Sequence, residues 1–117
     1  MLPKRYRITR AEEFRRIHST GRFWTSNKLV LNQLSNALDN SRFGFSVSRR
    51  IGSAVVRNRI KRLLREAIHC HLYEIKPGYD FVFIARRGML NASFCSTEQA
   101  VLALLHLADA LNENNSK

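Results

Sequence analysis

Basic side chains recur through residues 49–65 at a spacing that suits phosphate binding. On an α-helix, where each residue advances by about 100°, most of them share one face that is separate from the apolar face. Guanidinium groups bind phosphate oxygens in pairs, so the pattern predicts a helix whose basic face binds a polyanion. We term this set the basic surface, and its members are Arg49, Arg50, Arg57, Asn58, Arg59, Lys61, Arg62 and Arg65.

A solvated helix face that binds nothing is the alternative interpretation of this stretch. Such faces usually interleave Glu with Lys or Arg at four-residue spacing, whereas the first carboxylate after Arg57 is Glu66. Like charges without a counter-charge oppose helix formation. The pattern therefore favours a partner that supplies phosphate groups.

The positive charge of the whole chain is concentrated in one half. Residues 1–65 hold 16 Lys and Arg against three acidic residues, whereas residues 66–117 hold four against six. A positive field of this kind attracts a polyanion, and nucleic acid is the first candidate. Charge that only keeps the protein soluble and binding to an anionic membrane surface are the alternatives.

Side chains for catalysis by the protein itself are scarce. A metal-dependent nuclease needs converging carboxylates, but the basic half offers three acidic residues in total. A histidine-based ribonuclease needs two converging histidines, and His18 is the only one in that half. The sequence contains no glycine-rich phosphate loop. We therefore predict no catalytic residue in this chain.

Metal sites, disulfides and membrane spans are not indicated either. His69, Cys70 and His71 are adjacent, but neighbours on a helix point about 100° apart and do not converge on one ion. Cys70 and Cys95 are too few for a disulfide framework, which favours a reducing, intracellular setting. No apolar stretch approaches the roughly 18 to 20 residues of a membrane span, so we expect a cytoplasmic protein.

Caps, breakers and hydrophobic periods predict seven elements. The first is a helix over about residues 10–18, with Thr9 and Glu12 at capping-box spacing and Gly21 as its stop. The later helices start at Ser53 and at Ser96, the second with Gln99 at capping-box distance. Strands are predicted at 22–25, 28–34, 42–48 and 79–85.

The resulting order α, β, β, β, α, β, α predicts an α+β fold. We expect a two-layer α/β sandwich in which helices pack on a small sheet of about four strands. A chain of 117 residues supports one domain, residues 1–117. Within it, residues 1–8 are predicted to form a basic N-terminal arm and residues 112–117 a frayed tail.

The predicted strand over residues 42–48 has one apolar face and one small polar face. Its polar face consists of Arg42, Gly44, Ser46 and Ser48. This face either lets a ligand backbone approach closely or is a plain solvated sheet face. Phe14 and His18 lie one turn apart on the first helix, so a groove between them and the strand would suit an unpaired nucleic-acid strand.

Residues 45–66 closely resemble the signature of the bacterial ribonuclease P protein component. The shared pattern is Ser-Val-Ser followed by two basic residues, then Gly-x-Ala-Val, then Arg-Asn-Arg-x-Lys-Arg. This resemblance implies a small subunit that binds a large catalytic RNA, and the pair removes the 5′ leader from precursor tRNA with Mg²⁺ held mainly by the RNA. It also implies that the RNA performs the hydrolysis. The implied fold has a left-handed β-α-β crossover, as in a ribosomal-protein domain.

The resemblance also implies two binding regions. The basic surface is implied to face the catalytic RNA. A cleft is implied to hold the precursor-tRNA leader through Arg10, Phe14, His18, Val30, Asn32, Ser46 and Ser48. Family members commonly carry aromatic residues in place of His18 and Asn32, which predicts weaker base stacking at these two positions or its replacement by hydrogen bonding.

Two other functions remain as alternatives. A ribosomal or other structural RNA-binding protein of similar fold would carry the same segregated charge, but it has no reason to carry the signature of residues 45–66. A self-sufficient ribonuclease would cleave without added RNA. The sequence gives no indication of a homodimer or of a membrane partner.

Overall fold

The computed structural model describes residues 2–112, and the seven predicted elements form in the predicted order. The first helix and the first three strands are α1 Ala11–Thr20, β1 Arg22–Thr25, β2 Leu29–Ser35 and β3 Arg42–Ser46. They are followed by α2 Ala54–Cys70, β4 Tyr79–Ala85 and α3 Phe94–Leu107. Short 3₁₀ turns lie at Lys4–Tyr6, Leu72–Glu74 and Arg87–Met89. The α+β class and the small four-stranded sheet are confirmed.

The four strands form one mixed sheet in the order β1-β2-β4-β3. Strand β2 pairs antiparallel with β1 and β4, whereas β3 and β4 are parallel and are joined by α2 as the crossover. The register places Phe43 beside Phe81 and Gly44 beside Val82. Because side chains alternate along a strand, these pairs point to opposite faces of the sheet.

Helices cover both faces of the sheet. On one face, Phe43 and Phe81 stack with ring centroids 5.5 Å apart and join the buried side chains of α2 and α3, among them Ile60, Leu64 and Leu104. On the other face, α1 contributes Ile17 to a smaller cluster with Ile8 and Val82. Strand β4 is buried on both faces as a result of this arrangement.

The predicted capping boxes are wrong, although the helices themselves form. Helix α1 has Arg10 as its N-cap residue with no side-chain capping bond, and the backbone two residues earlier is bound to β3 through Ile8 N, which donates to Phe43 O at 2.8 Å. Helix α3 is capped earlier than predicted, by a reciprocal box between Ser93 and Ser96. Val101 and Leu104 of this helix are buried in the core.

Both ends of the described chain pack against the domain. Leu2 is fully buried, and Arg7 bridges to Phe43 at the edge of β3, so the predicted basic arm lies along the sheet. The predicted tail, residues 112–117, falls outside the described residues except for Asn112, whose N–H donates to Glu74 O at 2.7 Å. Within residues 2–112, no helix has the length and hydropathy to cross a membrane.

His71 connects the end of α2 to α3. Its Nδ1 lies 2.9 Å from a carboxylate oxygen of Glu74, and its Nε2 lies 2.7 Å from one of Glu98. Burial lowers the pKa of His71, but the hydrogen bonds to Glu98 and Glu74 outweigh it, so the pKa lies above its ordinary value of 6.5. The protonated ring therefore stabilises this junction.

We predict that His71→Gln removes a pH-dependent part of the stability. Because the folded pKa is raised, the ion pairs contribute fully below the unfolded pKa of about 6.5 and are lost as the pH rises through the folded value. As the pH rises from below about 6.5 through the folded value, the Tm of the native protein should fall by a few degrees relative to that of the variant. His106→Gln, at an exposed position of α3, should keep the native pH profile. Identical profiles for the native protein and His71→Gln would contradict this prediction.

Candidate nucleic-acid interface

Helix α2 presents the basic surface because its opposite side is held in the core. Ser53 caps the helix by accepting a bond from Val56 N at 3.4 Å, and Ile60 and Leu64 are fully buried. Arg57, Lys61 and Arg65 are half-buried along the border of the core, whereas Asn58 and Arg62 are exposed. The predicted division of this helix into an apolar and a basic face is therefore present.

Some members of the basic surface have contacts within the protein. Arg59 donates from Nη2 to Ala92 O at 2.7 Å, which ties α2 to the segment before α3. Arg57 donates from Nε to Gly52 O at 3.3 Å. Arg49 and Arg50 are exposed in the turn before α2, where Arg50 N donates to Ser48 Oγ at 3.1 Å. The geometry thus gives Arg59 a structural contact in addition to its charge.

A cleft lies where α1, β3 and α2 meet. It begins as a cavity of about 160 Å³ whose lining includes Phe14, Gly44, Lys61, Arg65, Arg7 of the arm and Thr9 just before α1. Phe14 and Lys61 also line a wider opening next to it, which reaches Ser46. The structure therefore brings the aromatic residue of α1 and two cations of the basic surface into one space.

Phe14 occupies its place because β3 carries glycine opposite it. A Cβ built on Gly44 would lie 2.6 Å from Phe14 Cζ, which is closer than real carbon atoms approach. Phe14 is half-buried, and it packs against the cluster that contains Ile17 and Val82 while still lining the cleft. Its ring is thus fixed by packing and has a side open to a ligand.

An ion network next to the cleft attaches α1 to the sheet. Arg42 donates to both carboxylate oxygens of buried Asp80, from Nε at 2.9 Å and from Nη2 at 2.7 Å. The same Nη2 lies 3.1 Å from Glu13 of α1, and Asn36 Nδ2 donates to Asp80 Oδ1 at 2.9 Å. The hydrogen bond to Asp80 raises the pKa of Arg42, so this group stays charged.

The sequence did not assign these roles. Arg42 was predicted on a small polar face of its strand, and Asp80 was predicted within the 79–85 strand without a partner. A lone carboxylate inside a buried strand is the signal that could have revealed the ion pair, because a buried charge needs a partner. Arg7 was predicted in the arm and Thr9 at the cap of the first helix, and neither was predicted in the cleft.

Several residues predicted for the leader cleft lie outside it. Arg10 is exposed at the start of α1, and His18 is exposed one turn beyond Phe14. Val30 is half-buried, and Asn32 is 2% exposed with no hydrogen-bond partner for its Oδ1 among the described residues. Ser48 is exposed near Arg50, so Phe14 and Ser46 are the two predicted leader residues that line the cleft. Leader binding by the others stays a prediction.

Comparison with known proteins gives consistent results. A family model described as Ribonuclease P matches residues 2–109. The chain is 37% identical over 117 residues to the ribonuclease P protein component of Syntrophomonas wolfei. That alignment covers 100% of this chain and 98% of that protein. It is 41% identical over 108 residues to the ribonuclease P protein component of Roseiflexus castenholzii, and the alignment covers 92% of this chain and 88% of that protein.

Solved structures give the same result. The Staphylococcus aureus ribonuclease P protein has a TM-score of 0.84 and 31% identity, with 92% of this chain and 98% of that chain covered. The Thermotoga maritima protein has a TM-score of 0.79 and 29% identity, with 85% and 94% covered. These comparisons give no support to a ribosomal protein. Since the family model spans nearly the whole described chain and the Syntrophomonas relative aligns over all of it, this chain belongs to the ribonuclease P protein family.

Proposed function

We propose that the protein binds a catalytic ribonuclease P RNA and the 5′ leader of precursor tRNA in the cytoplasm, and assists the endonucleolytic removal of that leader. The observation that carries this proposal is the meeting of Phe14 with Lys61 and Arg65 in one cleft. An aromatic ring beside two cations can stack a base and bind the neighbouring phosphates without reading sequence. This is the chemistry that an unpaired leader requires.

The cleft orients the leader through its walls. Arg7, Lys61 and Arg65 supply positive charge around the cavity, and Phe14 supplies a ring face. Gly44 leaves no side chain on the sheet floor, so the ring of Phe14 packs directly against β3 and the leader can pass beside it. Ser46 at the wider opening offers a hydroxyl to a sugar or phosphate oxygen.

The outward part of the basic surface is proposed to bind the catalytic RNA. Asn58 and Arg62 are exposed on α2, and Arg49 and Arg50 are exposed just before it. Because Lys61 and Arg65 border both this surface and the cleft, one helix can hold the two RNAs side by side. The positive charge between them offsets the repulsion of their phosphates.

Magnesium is proposed to be held by the RNA, and the side chains of this protein do not fit it. Among residues 2–112 there is no group of three or more His, Cys, Asp or Glu side chains that could hold an ion. The cleft is cationic, whereas Mg²⁺ prefers carboxylate and phosphate oxygens. Bound to RNA phosphates, Mg²⁺ would supply charge stabilisation for phosphoryl transfer. The side chains of the protein then position the substrate, and the RNA performs the hydrolysis.

Cleavage of precursor tRNA tests the proposed function. With a bacterial ribonuclease P RNA, the protein should lower the Mg²⁺ concentration needed for cleavage, because its Arg and Lys side chains reduce phosphate repulsion where the two RNAs meet. The measurement is the cleavage rate across a magnesium titration, with and without protein. The protein alone should cleave nothing. Turnover by protein freed of all RNA would contradict the proposed division of labour.

Substitutions in the basic surface should flatten the salt dependence of binding to the catalytic RNA. Each phosphate contact contributes about 0.7 to 0.9 to the slope of log affinity against log salt. Changing the exposed residues Arg49, Arg50 and Arg62 together to Ala should therefore reduce the slope by about 2 to 3. Arg87→Ala removes an exposed cation from the other half of the chain and should leave the slope nearly unchanged. An unaltered slope in the triple variant would contradict phosphate binding by this face.

Phe14→Leu should weaken binding of precursor tRNA to the holoenzyme and leave binding of mature tRNA unchanged. Leu keeps apolar volume on Gly44, so the stability cost should be about 1 kcal/mol, whereas loss of base stacking should cost about 1 to 3 kcal/mol of affinity. The affinities are measured by titration with each tRNA. Phe23→Leu, at a 64% exposed position of β1, is the matched control and should bind both tRNAs normally. If Phe14→Leu and Phe23→Leu weaken precursor binding equally, the cleft does not bind the leader.

A further inference from the structure

A second cavity lies at the other side of the sheet from the Phe14 cluster, and the proposed function does not use it. It has a volume of about 370 Å³ and lies where the end of α1, the start of β1, the end of β2 and the segment after α3 meet. None of its lining residues lines the cleft. We term it the Gln33 cavity.

Gln33 is the feature of this cavity that needs an explanation. The residue is only 6% exposed, and its side chain lies on the face of β2 that also carries buried Leu31. Its primary amide makes no hydrogen bond to any of residues 2–112, although it lines the cavity. Among the fully buried side-chain polar atoms of residues 2–112, only Asn32 Oδ1 lacks a partner, so the unpaired amide of Gln33 reaches solvent through the cavity. Its donor and acceptor are therefore available for a ligand.

Charged groups surround the amide. Arg22 is exposed and its guanidinium lies 4.9 Å from the centre of the Trp24 ring, which holds it at the start of β1. Lys76 is half-buried, and its ammonium lies 3.3 Å from the carboxylate of Asp109. Both cations line the same cavity as Gln33. They provide a place for one phosphate next to the amide.

The interior of the cavity favours a neutral ring over an anion. Helix α1 ends at Thr20 and α3 ends at Leu107, so the carbonyl ends of both helices are directed to this region. The carboxylate of Asp109 adds to their negative potential. Tyr79 and Ala108 supply less polar walls. A planar base can therefore enter, while its phosphate stays at the rim near Arg22 and Lys76.

We propose that the Gln33 cavity binds one unpaired adenine nucleotide of RNA. A primary amide pairs through its donor and acceptor with the N6 and N7 atoms of adenine, and this pair discriminates against other bases. The inference rests on the RNA-binding function proposed above. It adds a base-reading site to a protein whose cleft binds RNA by charge and stacking.

The test uses the full chain labelled with ¹⁵N and follows the side-chain amide signal of Gln33 by NMR. AMP, UMP and adenosine are titrated first, followed by single-stranded oligoadenylate and oligouridylate. AMP should shift the Gln33 signal and bind about fivefold or more tightly than UMP. Adenosine should bind more weakly than AMP, because it lacks the phosphate for Arg22 and Lys76.

Two variants act in opposite directions. Gln33→Leu keeps the side-chain size and should reduce the preference for AMP over UMP to about twofold or less. Asp109→Asn releases Lys76 from its ion pair and should tighten AMP binding by about twofold or more. Residue 109 has a φ of 55°, which Asn tolerates, so the fold should be kept. The second variant keeps the test decisive if Gln33→Leu does not fold.

The oligonucleotides distinguish RNA from a free nucleotide as the source of the ligand. Oligoadenylate that displaces AMP and shifts the Gln33 signal supports the proposal. Binding of AMP without displacement by oligoadenylate overturns the assignment to RNA, and the absence of any shift at Gln33 overturns the site. The proposed function is tested by the cleavage rate across a magnesium titration, which depends neither on the Gln33 signal nor on AMP displacement. Failure of this site and failure of the proposed function therefore give different results.

Discussion

The buried carboxylate of Asp80 is the constraint on which the arrangement of the cleft depends. Asp80 lies in β4 between apolar neighbours, with its side chain 1% exposed, and a charge in that position destabilises the fold unless it is paired. Arg42 of β3 occupies both carboxylate oxygens and reaches on to Glu13 of α1. One ion pair inside the sheet thereby attaches the helix that carries Phe14, the residue directly after Glu13.

Helix α2 shows how one amphipathic element serves both the core and the binding surface. Its buried side, with Ile60 and Leu64, packs on the sheet, and this packing directs Lys61 and Arg65 to the border where β3 and α1 meet. The helix carries five Arg and Lys residues and one carboxylate, Glu66. Burial of the apolar face therefore holds like charges together, and an RNA partner would supply the counter-charge.

The two faces of the sheet have different chemistry. On the α1 face, Gly44 makes room for the ring of Phe14, and Arg42 anchors α1 through Glu13. On the other face, Gln33 of β2 lines a cavity with an amide that has no partner among residues 2–112. A flat sheet only four strands wide brings these regions within one small domain. Binding groups on both faces would let a protein of this size contact an RNA over a large part of its surface.

The sequence by itself determined the order of elements, the fold class, the basic face of α2 and the family signature of residues 45–66. These features depend on local periodicity and on residue types at short spacing, which a single chain displays directly. The tertiary structure decided the partners: Asp80 with Arg42, Arg59 with Ala92 O, and Phe14 with Gly44. It also decided the N-cap residues of α1 and α3, which differ from those predicted. Such contacts join residues distant in sequence, and packing geometry selects them from many pairings that the local pattern permits equally.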